Sequence, residues 1–334
     1  MMLAPVLFGF ALSAWAGSAQ CRSCHTEHWT RHQASAHATA LRREPEHPLR
    51  DKFASPAPFY RPPGFRFLFG REGGTLQVRA DDGVYATTLP IEWAFGAGTQ
   101  AVTFVSRVDD SHHLEHAITF YRRGETLDLT PRHDRLPSGA LHQAMGQALV
   151  TRGNGPSVVN CFQCHSTGPV DVSARGEVLI DEAGVGCEAC HGPAGGHVKT
   201  GAAMPKMSRS GKEVNAVCGR CHRSDSDQFD WDSAWNVRHS PPFLARSRCF
   251  LASAKLSCLT CHDPHDPLRR GDPAYYRQRC QACHTSDKHT RAATDCVGCH
   301  MPAVSASPRL TFRNHWIGTY AASGSRLRPL KSGR

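Results

Sequence analysis

From residue 65 to residue 121 short hydrophobic segments alternate with polar positions in steps of two. Phe65 to Phe69, Thr75 to Ala80, Val84 to Leu89, Ala101 to Val108 and Leu114 to Tyr121 each read as a strand. In the fourth, Val102, Phe104 and Val108 alternate with Thr103 and Arg107, the pattern of a strand buried on one face. Gly73-Gly74 and Asp81-Asp82-Gly83 supply turns, and a Pro-rich stretch (Pro58, Pro62-Pro63-Gly64) precedes the series. The pattern predicts a small antiparallel β domain over 56–135. Beyond residue 136 no long helical period appears and Gly, Pro and Ser recur, which predicts mostly short α-helices and loops with little aliphatic core of their own.

Composition explains what fills that region. The chain has 334 residues, 40% hydrophobic and only 8% aromatic, yet 15 Cys and 21 His. Fourteen of the cysteines fall in seven copies of Cys-x-x-Cys-His: Cys21/Cys24/His25, Cys161/Cys164/His165, Cys187/Cys190/His191, Cys218/Cys221/His222, Cys258/Cys261/His262, Cys280/Cys283/His284 and Cys296/Cys299/His300. Shuffling this composition would yield about 0.04 such motifs. Two cysteines one helical turn apart match the two vinyl groups on one edge of a haem, and the following imidazole turns under the iron. The expected cofactor is therefore haem c, seven groups with their iron.

Other uses of Cys-x-x-Cys fit less well. Structural zinc needs no His directly after the second Cys and would leave an odd number of pairs. A redox dithiol would be one motif, and a disulfide framework does not demand histidines. Cys249 stands outside the pattern and reads as a small buried hydrophobe beside Phe250 and Leu251. Tyr275-Tyr276 reads as packing.

The motifs are unevenly spaced. One stands at residue 21 and the other six lie between Cys161 and His300. The chain thus divides into a signal peptide (1–19), a first haem segment (20–55), the β insertion (56–135), a six-haem domain (136–317) and a basic flexible tail (318–334). Short separations between motifs place haems close together, the condition for electron hopping.

Covalent haem implies export. Leu3 to Trp15 is an uncharged apolar run ending in Ala14-Trp15-Ala16, with Ala19 as a second small-residue boundary. It is too short to span a bilayer, and no other segment approaches that length, so a periplasmic protein without a transmembrane anchor is expected after cleavage. Ser18-Ala19-Gln20 is a poor lipidation site. The formal charge of +10 does not indicate nucleic acid: each ferric haem with both propionates ionised brings about −1, so seven leave about +3. No nucleic-acid-binding motif accompanies the charge.

Fourteen histidines lie outside the motifs, two for each expected iron, whereas Met145, Met204, Met207 and Met301 are few. Two axial histidines per iron is the economical reading. At this point the chain resembles a known family, the multihaem cytochromes related to the tetrahaem cytochrome of ammonia oxidisers and to octahaem tetrathionate reductases. The resemblance rests on CRSCHTEHWTRHQASAHATA from Cys21, on CEACHGPAGGHV from Cys187, and on WNVRHSPPFLARSRCF, CLTCHDPHD and CVGCHMP with RNHWIG. It covers 21–40 and 158–317 well and the β segment loosely. It implies second axial ligands at His37, His197, His239, His265 and His315. His116, His142 and His289 compete for the remaining irons, with His142 and His289 preferred; His28, His32, His112, His113 and His133 are less favoured.

Departures limit the transfer. The Cys-x-x-Cys-Lys motif of ammonia-forming nitrite reductases is absent, as is an eighth haem motif. No catalytic residue is assigned. Two functions follow from the sequence. One is an electron-transfer protein between redox partner proteins, a membrane quinol-oxidising complex or a terminal reductase. The other is an oxidoreductase acting on a small nitrogen or sulfur oxyanion at one open iron.

Overall fold

The computed structural model describes residues 14–204, 210–223, 229–284 and 295–330. Most of the apolar N-terminal run, Met207, His289 and the last four residues lie outside them. No helix among the described residues is long and apolar enough to cross a membrane.

Two antiparallel sheets occupy residues 41–150. The first is a four-stranded meander of β2 (Ser55–Arg61), β3 (Phe65–Glu72), β4 (Thr75–Asp81) and β5 (Ala86–Pro90). Its edge strand β2 carries Pro58, whose missing N–H is tolerated at a sheet edge. The second sheet runs β1 (Leu41–Arg43), β6 (Trp93–Phe95), β7 (Ala101–Arg107), β8 (His112–Tyr121), β10 (Gly146–Val150), with β9 (Thr126–Leu129) also on β8. Period-two alternation puts Phe65, Phe67 and Phe69 with Leu76 and Val78 against Val102, Phe104, Ile118 and Phe120 of the second sheet. This sandwich is the largest apolar core among the described residues.

The six-stranded sheet is apolar on its other face too. Leu41, Trp93, Phe95, Val105 and Leu149 pack against Val158 and Phe162 of α4 (Val158–His165), the helix that carries the second Cys-x-x-Cys-His motif. Phe162 is fully buried and meets Trp93 and Phe95 edge-on, with ring centres 5.0 and 5.1 Å away. Ser157 caps the helix by accepting from the Val159 N–H. The β region is therefore seated directly on a motif-bearing helix.

The rest of the chain is a series of short helices with two hairpins. Each motif lies on a helical turn or at its end: α1 (Ser18–Cys21), α4, α5 (Cys187–His191), α7 (Gly211–His222), α10 (Cys258–Cys261), α11 (Pro273–Gln281) and α12 (Cys296–His300). The hairpins are β11 (Ser166–Val172) with β12 (Val178–Ala183), and β13 (Ala303–Ser307) with β14 (Leu310–Arg313). Strands are thus as prominent as helices, more so than the expected mostly helical description. Among the described residues a small buried cluster, Phe229, Val237, Phe243 and Val304, serves the C-terminal third.

Phe162 tests the seating of the motif helix. Phe162→Ala should cost about 3–5 kcal/mol of stability, whereas Leu251→Ala, at a 73% exposed position, should stay within roughly 0.5 kcal/mol. Thermal or denaturant unfolding measures both, and near-equal losses would contradict this packing.

Candidate haem-binding site

The motif is built by one turn of helix. The His25, His262 and His284 N–H groups donate to the Cys21, Cys258 and Cys280 carbonyls at 2.9 Å each, so the first Cys and the His share one face of the turn. Capping holds these short turns in place. Ser257 and Thr260 form a reciprocal capping box at α10, and Asp295 accepts from the Gly298 N–H at α12.

The two cysteines of a motif are not equally enclosed. Three residues along a helix is a rotation that falls about 60° short of a full turn, so the second cysteine stands to one side of the first. Cys24, Cys190, Cys221, Cys283 and Cys299 are all exposed, whereas the first cysteine of every motif is half-buried. Cys24 and Cys299, expected from the sequence to attach haem together with Cys21 and Cys296, are among these exposed cysteines. The Cys24 thiol contacts only its neighbour Ser23, with Sγ and Oγ 3.7 Å apart, and Cys299 is likewise at the surface. The structure therefore leaves attachment at Cys24 and Cys299 resting on the five-residue motif, without the packing that surrounds Cys161 or Cys258.

Four motif histidines face a second imidazole across a gap of nearly constant width. Ring centres are 6.3 Å apart for His25 and His197, 6.2 Å for His37 and His222, 6.1 Å for His191 and His265, and 6.3 Å for His262 and His315. A metal–imidazole bond of about 2.0 Å plus roughly 1.1 Å from nitrogen to ring centre, taken twice, spans about 6.2 Å. The gaps therefore match one metal ion shared between two imidazoles. By contrast, His28 and His265 are 5.0 Å apart and tilted by 50°, ordinary ring packing.

The free nitrogen of these rings is selected by the other one. The Nδ1–H groups of His197, His315 and His165 donate to the carbonyls of Ala202, Arg313 and Ala40 at 2.6, 3.0 and 2.9 Å. His300 Nδ1 does the same to Gly318 at 2.9 Å. His265 Nδ1 lies 3.1 Å from Asp263 Oδ1. Each such bond fixes the tautomer and leaves Nε2 as the ligand atom. Desolvation lowers the pKa of His37, His165, His191, His222 and His262, and carries His315 down to about 4, with His262 adding repulsion to the last. These imidazoles are held neutral, the form that binds metal. The donor set fits haem iron.

Buried and charged groups bring remote segments into this register. Glu188, 2% exposed, accepts from the N–H groups of Ala16, Gly17 and Ala194 at 2.9, 2.7 and 2.6 Å. Glu182 accepts from Ser18. Together they dock the first motif on α5. Arg31, from α2 (Thr26–Gln33), donates to Asp266 and Asp263 at 2.6 and 2.8 Å, clamping the loop that presents His265. None of these clamps was legible in the sequence, where each is a single charged residue in a polar setting.

The remaining candidates sit differently. His239 takes a hydrogen bond at Nε2 from Arg238, 2.9 Å away, and packs beside Phe229. His142 is exposed on α3 (Leu141–Ala144), and His289 lies outside the described residues. His116 is buried against Ser106 Oγ at 2.7 Å, with its pKa pushed down to about 3 by desolvation. His47, not singled out in the sequence, uses both nitrogens within the fold, on the Gly96 carbonyl and the Leu49 N–H. His165 meets Phe95 edge-on at 5.3 Å and borders a cavity of about 270 Å³ with Thr103, Glu115 and Asn160. Tyr275 and Tyr276 stack edge to face at 5.1 Å, and Tyr276 packs on His262. Burial raises the Cys249 thiol pKa, which keeps it protonated.

Neighbouring motifs touch one another. Cys21 lies beside Cys187, Cys164 beside Cys221, Cys218 beside Cys258, and Cys280 beside Cys296. Cys190 lies within electrostatic range of Cys218, and Cys261 of Cys283. Helix contacts follow the same order, with α4 on α7, α7 on α10, α10 on α11 and α11 on α12.

Comparison with known proteins agrees with this chemistry. The family described as cytochrome c554 and c-prime matches residues 139–192, which include the motifs at Cys161 and Cys187. A curated relative, the multiheme cytochrome MtrA of Shewanella baltica, is 29% identical over 168 residues, which covers 43% of this chain and 45% of the relative. The match thus spans under half the length of that relative. The crystal structure of the outer cell wall cytochrome OcwA superposes with a TM-score of 0.53 at 12% identity, covering 91% of this chain and 80% of that one; it bears on fold alone. Attachment motifs, facing imidazoles and matched relatives converge on one class of protein, and the chain is a multihaem c-type cytochrome.

Proposed function

We propose that the chain is an exported electron-transfer protein carrying seven covalent haems, which passes electrons between redox partner proteins in the periplasm. The observation that carries this reading is the succession of neighbouring motifs. It runs from the Cys21 motif through Cys187, Cys218, Cys258 and Cys280 to Cys296, with the Cys161 motif joined at Cys218. Each haem, when bound, supplies a one-electron ferric/ferrous couple. The chain's own residues attach it through the fourteen motif cysteines, Cys24 and Cys299 included, and hold its iron through the seven motif histidines.

The facing imidazoles support His197 as second ligand opposite His25, His37 opposite His222, His265 opposite His191, and His315 opposite His262. The motifs of His165, His284 and His300 then draw on His142, His239 and His289. Backbone bonds to Nδ1 orient the rings so that little has to move when the iron changes charge. Export rests on the apolar N-terminal run, read as a signal peptide, and on the covalent haem motifs.

A second reading, an oxidoreductase at one open iron, rests on the cavity beside His165. Glu115 lines that cavity, and its carboxylate would repel an anionic substrate. The enzyme reading therefore ranks second.

The ferric, haem-loaded protein should show seven covalent haems and a low-spin electron paramagnetic resonance spectrum. His315→Ala should convert one haem to high spin without changing the haem count; an unchanged spectrum would remove His315 from the ligand set. A high-spin fraction in the unaltered protein that shifts on adding nitrite or hydroxylamine would favour the enzyme reading instead.

A further inference from the structure

We propose that a second cavity, where the β region meets the β13–β14 hairpin, is a binding site for a carboxylate or other small oxyanion. Four guanidiniums line it: Arg122 and Arg123 from the β8–β9 turn, Arg270 from the loop before α11, and Arg309 from the hairpin turn. Its volume is about 270 Å³, just below the roughly 300 Å³ at which organic-ligand pockets begin. A single anion, or one acidic arm of a larger group, fills such a space.

The charges do not balance within the protein. Arg122 pairs with Glu125 at 2.9 Å, but Glu125 is shared with Lys52 at 2.5 Å. Arg309 pairs with Asp128 at 2.5 Å. Arg123 and Arg270 have no carboxylate partner among the described residues. The four lining guanidiniums thus have two carboxylates between them, one also held by Lys52, and the excess positive charge favours an anion there. The lining adds neutral donors, the hydroxyls of Thr99 and Thr311 and the amide of Gln100.

Arg122, Arg123 and Arg270 are exposed, and the walls that carry the arginines are tied together. The Arg122 N–H donates to the Gln100 carbonyl at 2.8 Å, joining two walls, and the Arg309–Asp128 pair ties the hairpin to β9. Guanidinium forks grip planar or tetrahedral oxyanions through paired N–H donors, which makes arginine rather than lysine the expected residue here. Two sources share this chemistry: a propionate of one of the chain's own haems, the arm that rests on the haem reading, and a dissolved anion such as sulfate.

The test uses the full haem-loaded protein, unaltered and as Arg123→Gln/Arg270→Gln, with each single substitution as a folding control. Sulfate is titrated at constant ionic strength while thermal unfolding is followed, and the haem midpoint potentials are measured in parallel. A dissolved-anion site predicts saturable stabilisation by sulfate, with apparent affinity about tenfold weaker for each guanidinium removed. A propionate site predicts no response to sulfate. It predicts instead that one haem potential falls in the double variant, because loss of nearby positive charge favours the ferric state, with the haem count unchanged. Absence of both effects in a folded variant would overturn the proposal.

Discussion

Two neutral imidazoles held about one metal ion's width apart are the constraint around which this molecule is organised. A single Cys-x-x-Cys-His turn supplies one of them locally. The other must arrive from elsewhere in the chain: His197 crosses to the first motif, and His37 reaches the fourth. Desolvation lowers the pKa of His37, His191, His222, His262 and His315, and carbonyl or carboxylate acceptors at His197, His265 and His315 fix which nitrogen points into the gap. The buried Glu188, the Glu182 contact and the Arg31 clamp are what that constraint demands of the surrounding backbone.

The β region serves the same end from outside. Its six-stranded sheet is apolar on both faces, one closing the sandwich and the other receiving Phe162 of the second motif helix. A helix of eight residues is too short to be stable alone. Trp93 and Phe95 give it a rigid floor. The C-terminal third has no comparable floor among the described residues, and its few buried side chains are consistent with a region whose apolar contents are largely porphyrin.

How much of this the sequence discloses depends on how local each feature is. The motifs are legible because attachment chemistry is complete within five residues. How far each thiol is enclosed is not: the second cysteines Cys24, Cys190, Cys221, Cys283 and Cys299 are exposed while Cys164 and Cys261 are half-buried, a difference set by packing outside the five residues. Strands β3, β4, β7 and β8 are legible because Phe65, Phe67 and Phe69, or Val102 and Phe104, alternate with polar neighbours. The three-residue strands β1 and β6 are too short to show a period. The β11–β12 hairpin goes unread because Gly168 and Pro169 interrupt it and a bulge falls between Thr167 and Val170. Second ligands are the least legible, since whether a histidine reaches a gap or spends both nitrogens on backbone, as His47 does, is settled by residues far away. Family resemblance pointed to His37, His197, His265 and His315, which the fold brings opposite motif histidines. It also pointed to His239, whose Nε2 is engaged by Arg238.

The most direct test of the account is the location of iron in crystals of the haem-loaded protein by anomalous scattering. The account predicts peaks centred between His25 and His197, His37 and His222, His191 and His265, and His262 and His315, with three more at His165, His284 and His300. Iron bound at the motif histidines but facing different partners in those four gaps would contradict it.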